Sequence, residues 1–233
     1  MVGLTLSNIG NAALDILYPP RCVVCGCHGD FLCANCFGKL PQADGPRCDV
    51  CWLPVWSESC RACTEHQPAF TALRSALRYA EDVRTLVHAF KYRGLSCLAP
   101  LLAAPMVDEL VEAGIEADLI VAVPMTGMRQ RQRGYNQASL LARELGRALD
   151  LPVSDALGRR RFAGQQAKSA TADERRRNVE GAFEVSKPEI VAGARVLVVD
   201  DIATTGATLD ACARALLNAG AQEVIAITLA RED

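Results

Sequence analysis

No apolar stretch in this 233-residue chain approaches the roughly 20 residues that a bilayer-spanning helix needs, so no membrane span is expected. Residues 1–18 carry neither a positive n-region nor a continuous apolar h-region, which argues against a secretory signal and for a cytoplasmic chain. Their apolar residues (Leu4, Leu6, Ile9, Ala13, Leu14, Ile16, Leu17) suit a short amphipathic helix ended by Pro19-Pro20. Aromatic residues are scarce at 5%, leaving Val, Leu, Ile and Ala to build the core, as suits a parallel sheet covered by helices. No charge of either sign dominates. A formal charge of −2 does not advertise indiscriminate nucleic-acid binding. Hydrophobic residues, in contrast, make up 50% of the chain, enough for one large α/β domain plus a small module.

Cysteine divides the chain. Nine of its eleven cysteines fall between Cys22 and Cys63, and only Cys97 and Cys212 lie beyond. The first region holds four Cys-x2-Cys knuckles: Cys22/Cys25, Cys33/Cys36, Cys48/Cys51 and Cys60/Cys63. Each sets two thiolates on one side of a tight bend, and two knuckles complete a tetrahedral zinc site. A disulfide framework fits poorly without an export signal, and redox-active pairs come singly after a strand. Eight thiolates holding two Zn²⁺ would lower the formal charge of −2 by four, to −6. All four positions of each site are filled, so the zinc is structural. Knuckles can pair as neighbours or cross-brace. The gaps of seven residues between Cys25 and Cys33 and eight between Cys51 and Cys60 resemble hairpins and favour neighbours, a double zinc ribbon. Cys27 is then one sulfur too many, either a bystander or a swap partner for Cys25. With little else to build a core, the module is expected to fold on metal binding. It occupies residues 1–66 with the N-terminal helix, and residues 64–70 read as the linker to a second domain over 67–233.

There the pattern changes. Leu73–Tyr79 reads as a strand; Val83, Leu86, Val87 and Phe90 mark a helix face, and a second helix covers Leu98–Ala113. Asp118–Val123 is an apolar strand and Asn136–Leu149 an amphipathic helix. Val196–Val199 is another strand, Thr208–Ala219 a helix and Val224–Leu229 a last strand. This alternation predicts a parallel sheet with right-handed crossovers, its ligands beyond the carboxyl ends of strands.

Residues 196–208 read Val-Leu-Val-Val-Asp-Asp-Ile-Ala-Thr-Thr-Gly-Ala-Thr. An apolar strand that feeds a short loop and a helix N-terminus is a phosphate cradle, in which backbone N–H groups and the helix dipole face the anion. Gly206 allows close approach, and Thr204, Thr205 and Thr208 add hydroxyls. The carboxylates Asp200 and Asp201 can accept hydrogen bonds from vicinal ribose hydroxyls, so the combination points to a ribose 5-phosphate. A plain βα turn with a capping acid explains neither the acid pair nor the three threonines.

The segment resembles the 5-phosphoribosyl-1-pyrophosphate (PRPP) signature of type I phosphoribosyltransferases. The resemblance assigns Ile202, Ala203, Thr204, Thr205, Gly206, Ala207 and Thr208 to the phosphate. Pro124, Met125 and Thr126 after the strand Asp118–Val123 fall to the pyrophosphate loop. Arg-Gly-Tyr-Asn-Gln-Ala (133–138), Leu-Tyr-Pro-Pro-Arg-Cys (17–22) and Arg-Arg-Arg-Asn-Val-x-Gly-Ala-Phe (175–183) resemble the ComF family (competence protein FC and GntX-type proteins), across nearly the whole chain. That family joins a cysteine-rich zinc module to a phosphoribosyltransferase-like domain. It implies a role in DNA uptake and processing during competence, with PRPP and Mg²⁺ as ligands and single-stranded DNA and a helicase as candidate partners.

If the site is active, the resemblance implies displacement at the anomeric carbon of PRPP. Asp200 and Asp201 would bind Mg²⁺ and stabilise oxocarbenium character, and Arg133 would offset charge on the departing pyrophosphate. Arg129, Arg131 and Arg133 alternate as on a strand, which would leave Arg133, beside Gly134, facing the site. Residues 157–183 are basic (Arg159, Arg160, Arg161, Lys168, Arg175, Arg176, Arg177, with Gln165 and Gln166) and suit a hood that excludes water. Ala170 departs from a customary Leu, and the family's upstream glutamine is shifted by about a position, leaving Gln165 and Gln166 as alternatives. No base-recognition element or general base presents itself, so the acceptor stays open. Two other functions compete. One is a nucleobase-salvage transferase, which needs no zinc module. The other is a non-catalytic adaptor for single-stranded DNA or a helicase. In that reading Trp52, Trp56, Phe31 and Phe37 stack on bases while Arg21, Lys39, Arg47 and Arg61 meet phosphates; those aromatics otherwise form the small module's core.

Overall fold

The computed structural model describes residues 19–57, 59–160 and 181–232. The helix expected within residues 1–18, and residues 161–180 of the basic segment with Gln165, Gln166 and Ala170, lie outside the described residues. Two short helices, α1 (Ala34–Phe37) and α2 (Arg61–Glu65), belong to the cysteine-rich part. They are followed by β1 (Ala72–Arg78), α3 (Glu81–Tyr92), α4 (Ala99–Glu112) and β2 (Leu119–Ala122). Next come α5 (Gly127–Arg133), α6 (Gln137–Leu149), β3 (Val153–Ser154), β4 (Leu157–Arg159) and β5 (Phe183–Val185). The chain continues through α7 (Pro188–Val191), β6 (Arg195–Ala203), α8 (Ala207–Asn218) and β7 (Glu223–Arg231).

Five strands form one sheet in the order β1-β7-β6-β2-β3, every neighbouring pair parallel. β4 and β5 form a separate antiparallel hairpin at the two ends of the basic segment. Val196, Leu197, Val198 and Val199 of β6 are buried, as a strand covered on both faces requires. α3, α4 and α6 cover one face, where Leu86, Phe90, Leu102, Met106, Leu141 and Leu145 meet Leu197 and Val199. α8 and the hairpin cover the other through Leu209, Cys212, Leu216 and Phe183. α3 carries Glu81 and Asp82 in its first turn and Lys91 in its last, matching the helix dipole.

Two local readings need correction. β6 does not stop at Val199 but continues through both acids to Ala203, because β7 runs alongside. Asp200 pairs with Thr228 and Ile202 with Ala230, which satisfies the backbone past the apolar run. Ile202 and Ala203 are therefore strand residues, and the connecting loop is Thr204–Gly206. The arginine run is likewise no strand: Arg129, Arg131 and Arg133 lie on α5. Thr126 caps that helix by accepting from the Arg129 N–H at 3.4 Å, and Gly134 ends it at φ 82°.

The cysteine-rich part is built onto the sheet. β1 is an edge strand, and Pro41–Ala43 run antiparallel along its free side. Gln42 bridges Leu77, Ala43 N–H donates to Ala76 O at 3.2 Å and Arg78 N–H to Pro41 O at 2.9 Å. Further along, Leu73 N–H donates to Val50 O at 2.7 Å. Cys22, Leu32, Cys36 and Leu40 join the core under α3 and α4. Val50 and Trp52 pack against the core under α8. The two ribbons thus straddle β1 and cover an edge that would otherwise be open to pairing.

Candidate active site and metal centres

Successive strand residues face opposite sides of a sheet, and the two acids follow that rule. Asp201, only 7% exposed, faces α3, where its Oδ1 lies 2.9 Å from Lys91 Nζ. The Asp200 carboxylate instead curls back to accept from the Asp201 N–H at 2.8 Å. The acids still sense each other. Burial, and then the charge of Asp201, push the Asp200 carboxyl up to about 7, against the opposing pull of the Asp201 N–H and Lys91. Two carboxylates offer hard oxygen donors suited to Mg²⁺, and in this structure Lys91 holds the cationic place beside one of them. Lys91 escaped the sequence reading, since a lysine closing an amphipathic helix looks like ordinary dipole compensation.

The neighbouring loop, Pro124–Thr126, follows β2 and lines a cavity of about 540 Å³ through Pro124 and Met125, together with Gln130, Asn136 and Arg143. The Arg-Gly-Tyr-Asn-Gln stretch binds this loop to the end of α3. Asn136 donates from Nδ2 to Val123 O at 2.9 Å and accepts the Ala138 N–H at 3.1 Å. The Tyr135 hydroxyl donates to Phe90 O. Arg133 donates to the Tyr92 hydroxyl at 2.8 Å and to Gln137 Oε1 at 3.0 Å, and its guanidinium lies 4.6 Å from the Tyr92 ring centre. Arg133 is therefore held in a fixed orientation against Tyr92, the residue after Lys91, and it comes from a helix and not from a strand. In the basic segment, Arg159 stacks on Phe183 at 5.4 Å and Arg160 pairs with Glu184 at 3.2 Å.

Beyond β6, Gly206 adopts φ 76° as the residue before α8, a conformation that costs glycine nothing. Thr205 Oγ1 accepts the Ala207 N–H at 3.4 Å, and Thr204 is exposed while Thr205 and Thr208 are half-buried. The first amides of α8 have no partner within the helix and face this turn. One turn on, buried Asp210 accepts from Ala69 N–H at 2.7 Å and approaches His66 Nε2 at 3.1 Å and Arg214 Nε at 3.2 Å. That carboxylate fastens the segment leaving the second ribbon to the helix that follows the Thr204–Gly206 turn. Phe70 adds a wall, 3.8 Å from where a side chain on Gly206 would begin. Neither His66 nor Asp210 was singled out in the sequence, because they meet across 144 residues.

The sulfurs of Cys48, Cys51, Cys60 and Cys63 all lie within 4.8 Å of one another, with Cys48–Cys63 at 3.8 Å and Cys51–Cys60 at 3.5 Å. Four thiolates at the usual Zn–S length on a tetrahedron stand about 3.8 Å apart, so the quartet fits a structural zinc. In the first ribbon Cys22, Cys25 and Cys33 gather with Cys27, while Cys36, the fourth ligand expected from the spacing, lies in the buried cluster with Cys22 and one helical turn after Cys33. Neighbouring knuckles come together in both ribbons. Trp52 is no free stacking platform: its Nε1 donates to Ser75 O at 3.0 Å and Arg74 covers its ring at 4.5 Å. Trp56, by contrast, is 87% exposed.

No helix among the described residues is long and apolar enough to cross a membrane. Comparison with known proteins places this architecture. A family model described as a double zinc ribbon domain matches residues 13–67, and one described as a phosphoribosyl transferase domain matches residues 103–233. The chain is 30% identical over 224 residues to competence protein F of Haemophilus influenzae, spanning 87% of this chain and 97% of that protein. It is 32% identical over 201 residues to the DNA utilization protein YhgH of Escherichia coli K12, spanning 83% and 87%. With competence protein ComFC of Bacillus subtilis it shares 29% over 209 residues, spanning 86% and 84%. A zinc-ribbon module built onto a phosphoribosyltransferase sheet, in a chain that aligns with these relatives along most of its length, belongs to the ComF family.

Proposed function

We propose that the protein binds PRPP or a closely related ribose phosphate together with Mg²⁺, and acts in the cytoplasm in DNA uptake and processing during natural competence. The division into a ribbon module over 1–66 and a phosphoribosyltransferase-like domain over 67–233 belongs to the same proposal. The observation that carries it is the β6–turn–α8 unit, which sets Asp200 and Asp201 among the last residues of β6, two residues before a glycine-bearing turn at a helix N-terminus. The names of the relatives support the competence role: they are a competence protein F, a ComFC and a DNA utilization protein.

In this reading Thr204, Thr205 and Thr208 hold the 5-phosphate with the amides of Gly206 and Ala207. Asp200 and Asp201 would take the ribose hydroxyls and the Mg²⁺, whose charge offsets that of the pyrophosphate. Binding then requires Asp201 to exchange its contact with Lys91 for the incoming ligand, freeing the ammonium to meet a phosphoryl oxygen. Arg133, fixed by Tyr92 and Gln137, faces the pyrophosphate beside the Pro124–Thr126 loop. PRPP with Mg²⁺ is expected to raise the thermal midpoint, by about 2.7 kcal/mol of stabilisation at a hundredfold excess over Kd. Asp201→Asn should remove most of that rise. An unchanged melt of the parent protein at millimolar PRPP and Mg²⁺ would overturn the reading. In a transformable host, the same substitution is expected to lower transformation frequency.

A further inference from the structure

Two tetrahedral zinc sites consume eight thiolates, and this region supplies nine cysteines. The second ribbon is matched one for one, with Cys48, Cys51, Cys60 and Cys63 in mutual contact. The surplus sits entirely in the first ribbon, and its placement there is specific. Cys22, Cys25 and Cys33 form a shared trio, with Cys25 and Cys33 sulfurs 3.7 Å apart. Cys27 completes a quartet with them inside 4.8 Å. Cys36 approaches from the core side, in the buried cluster with Cys22 and one helical turn after Cys33. The two candidates reach the trio from different environments: Cys27 is exposed, and Cys36 is buried in the core beneath α3.

Both candidates are held by backbone structure. The knuckle around Cys22 is closed by Gly26 N–H donating to Cys22 O and Cys22 N–H donating to Cys27 O, each at 2.8 Å. Gly26, at φ 77°, turns the chain so that Cys27 returns to the trio, a conformation a residue with a side chain rarely adopts. Cys36 lies on α1, whose first turn is fixed by Phe37 N–H donating to Cys33 O at 2.9 Å. We propose that the first ribbon is a five-thiol zinc site, in which Cys22, Cys25 and Cys33 are constant ligands and Cys27 and Cys36 are interchangeable fourth ligands. A four-coordinate ion leaves one of the two unbound at any moment. The site can therefore exchange a core-facing ligand for a solvent-facing one without releasing its metal, an option the second ribbon lacks.

Zinc content and sulfur coordination of the full-length protein test this. The parent, Cys27→Ser and Cys36→Ser should each carry about two zinc per chain with an all-sulfur first shell by X-ray absorption. Removing one of two equivalent alternatives lowers the apparent affinity only about twofold. Cys27→Ser/Cys36→Ser should fall to about one zinc, as should Cys25→Ser despite its intact neighbour. A fall to about one zinc in either Cys27→Ser or Cys36→Ser alone would overturn the proposal by naming that residue the fixed ligand. So would retention of two in the double variant. Should Cys36→Ser fail to fold, alkylation of the zinc-loaded parent decides. Cys27 is expected to react more slowly than exposed Cys97 yet faster than Cys25; a rate equal to that of Cys97 with zinc retained would sink the idea. A parent protein holding fewer than two zinc would instead refute the zinc assignment itself.

Discussion

At the scale of single residues, the most consequential contact is Lys91 with Asp201. Burial first, and then repulsion between two carboxylates in sequence on one strand, raises the Asp200 carboxyl. Lys91 relieves the repulsion from an ammonium group that is itself largely covered, the two side chains being 19% and 10% exposed. Removing one partner of such a pair leaves a buried charge uncompensated and costs about 3 kcal/mol. Lys91→Met should therefore lower the stability measured by urea unfolding in Mg²⁺-free buffer by about that amount, and Lys91→Met/Asp201→Asn should recover most of the loss. A single variant as stable as the parent would show that the contact contributes nothing. A second charge, Asp118, behaves oppositely. Hydrogen bonds from the Arg195 guanidinium and then from the Arg195 N–H hold its carboxyl down, from 3.8 to about 2. A depressed carboxylate contributes stability above its unfolded pKa and loses it as pH falls through the folded one. The difference in thermal midpoint between the parent and Asp118→Asn should accordingly be constant above about pH 5 and close progressively toward pH 2. A difference that widens with acid would contradict the pairing.

At the scale of elements, α8 is the link between the Thr204–Gly206 turn and the second ribbon. Its N-terminus follows the Thr204–Gly206 turn, and its first-turn acid, Asp210, anchors Ala69 and His66. Asp210→Ala should cost about 2 kcal/mol, chiefly through the Ala69 amide left without its acceptor. Arg214→Ala removes only the half-exposed partner and should stay within about 0.5 kcal/mol. Equal losses in the two variants, measured by denaturant unfolding, would refute the assignment. Such elements also mark how far the sequence could be read. The apolar runs of β2, β6 and β7 and the 3.6-residue spacing of α3 and α6 announce themselves, because burial on both faces or on one stripe leaves a local pattern. The turn Thr204–Gly206 was legible for the same reason: glycine and hydroxyl chemistry is local. Strand extension through Asp200 to Ala203 was not, since it depends on the length of β7, a neighbour only in space. Neither was the helical state of Arg129–Arg133, decided by a threonine cap and a left-handed glycine at its two ends. Lys91 and Asp210 were hidden because each looks like dipole compensation until the tertiary partner is seen.

At the scale of the whole molecule, the cysteine-rich part is continuous with the sheet it precedes. It contributes Cys22, Leu32 and Leu40 to one core and Val50 and Trp52 to the other, and it covers the open side of β1. A zinc module tethered by a loose linker would melt by itself and leave the phosphoribosyltransferase-like part intact. Here the loss of metal uncovers an edge strand and withdraws residues from both faces of the sheet at once. Structural zinc supplies folding free energy directly, about 10 kcal/mol or more per site in small modules, comparable with the stability of an entire domain. Stripping the protein with a high-affinity chelator is therefore expected to abolish or sharply lower a single cooperative transition, not to remove a small early one. Calorimetry of the zinc-loaded and stripped protein, with fluorescence of Trp52 followed separately in a Trp56→Phe background, checks this. The Trp52 signal should change in the same transition as far-ultraviolet circular dichroism of the sheet and helices. If the stripped protein keeps a calorimetric peak near the original midpoint while Trp52 alone reports unfolding, the ribbons are independent of the sheet. In that case the contacts along β1 and through Asp210 would carry no coupling between metal and the Thr204–Gly206 turn.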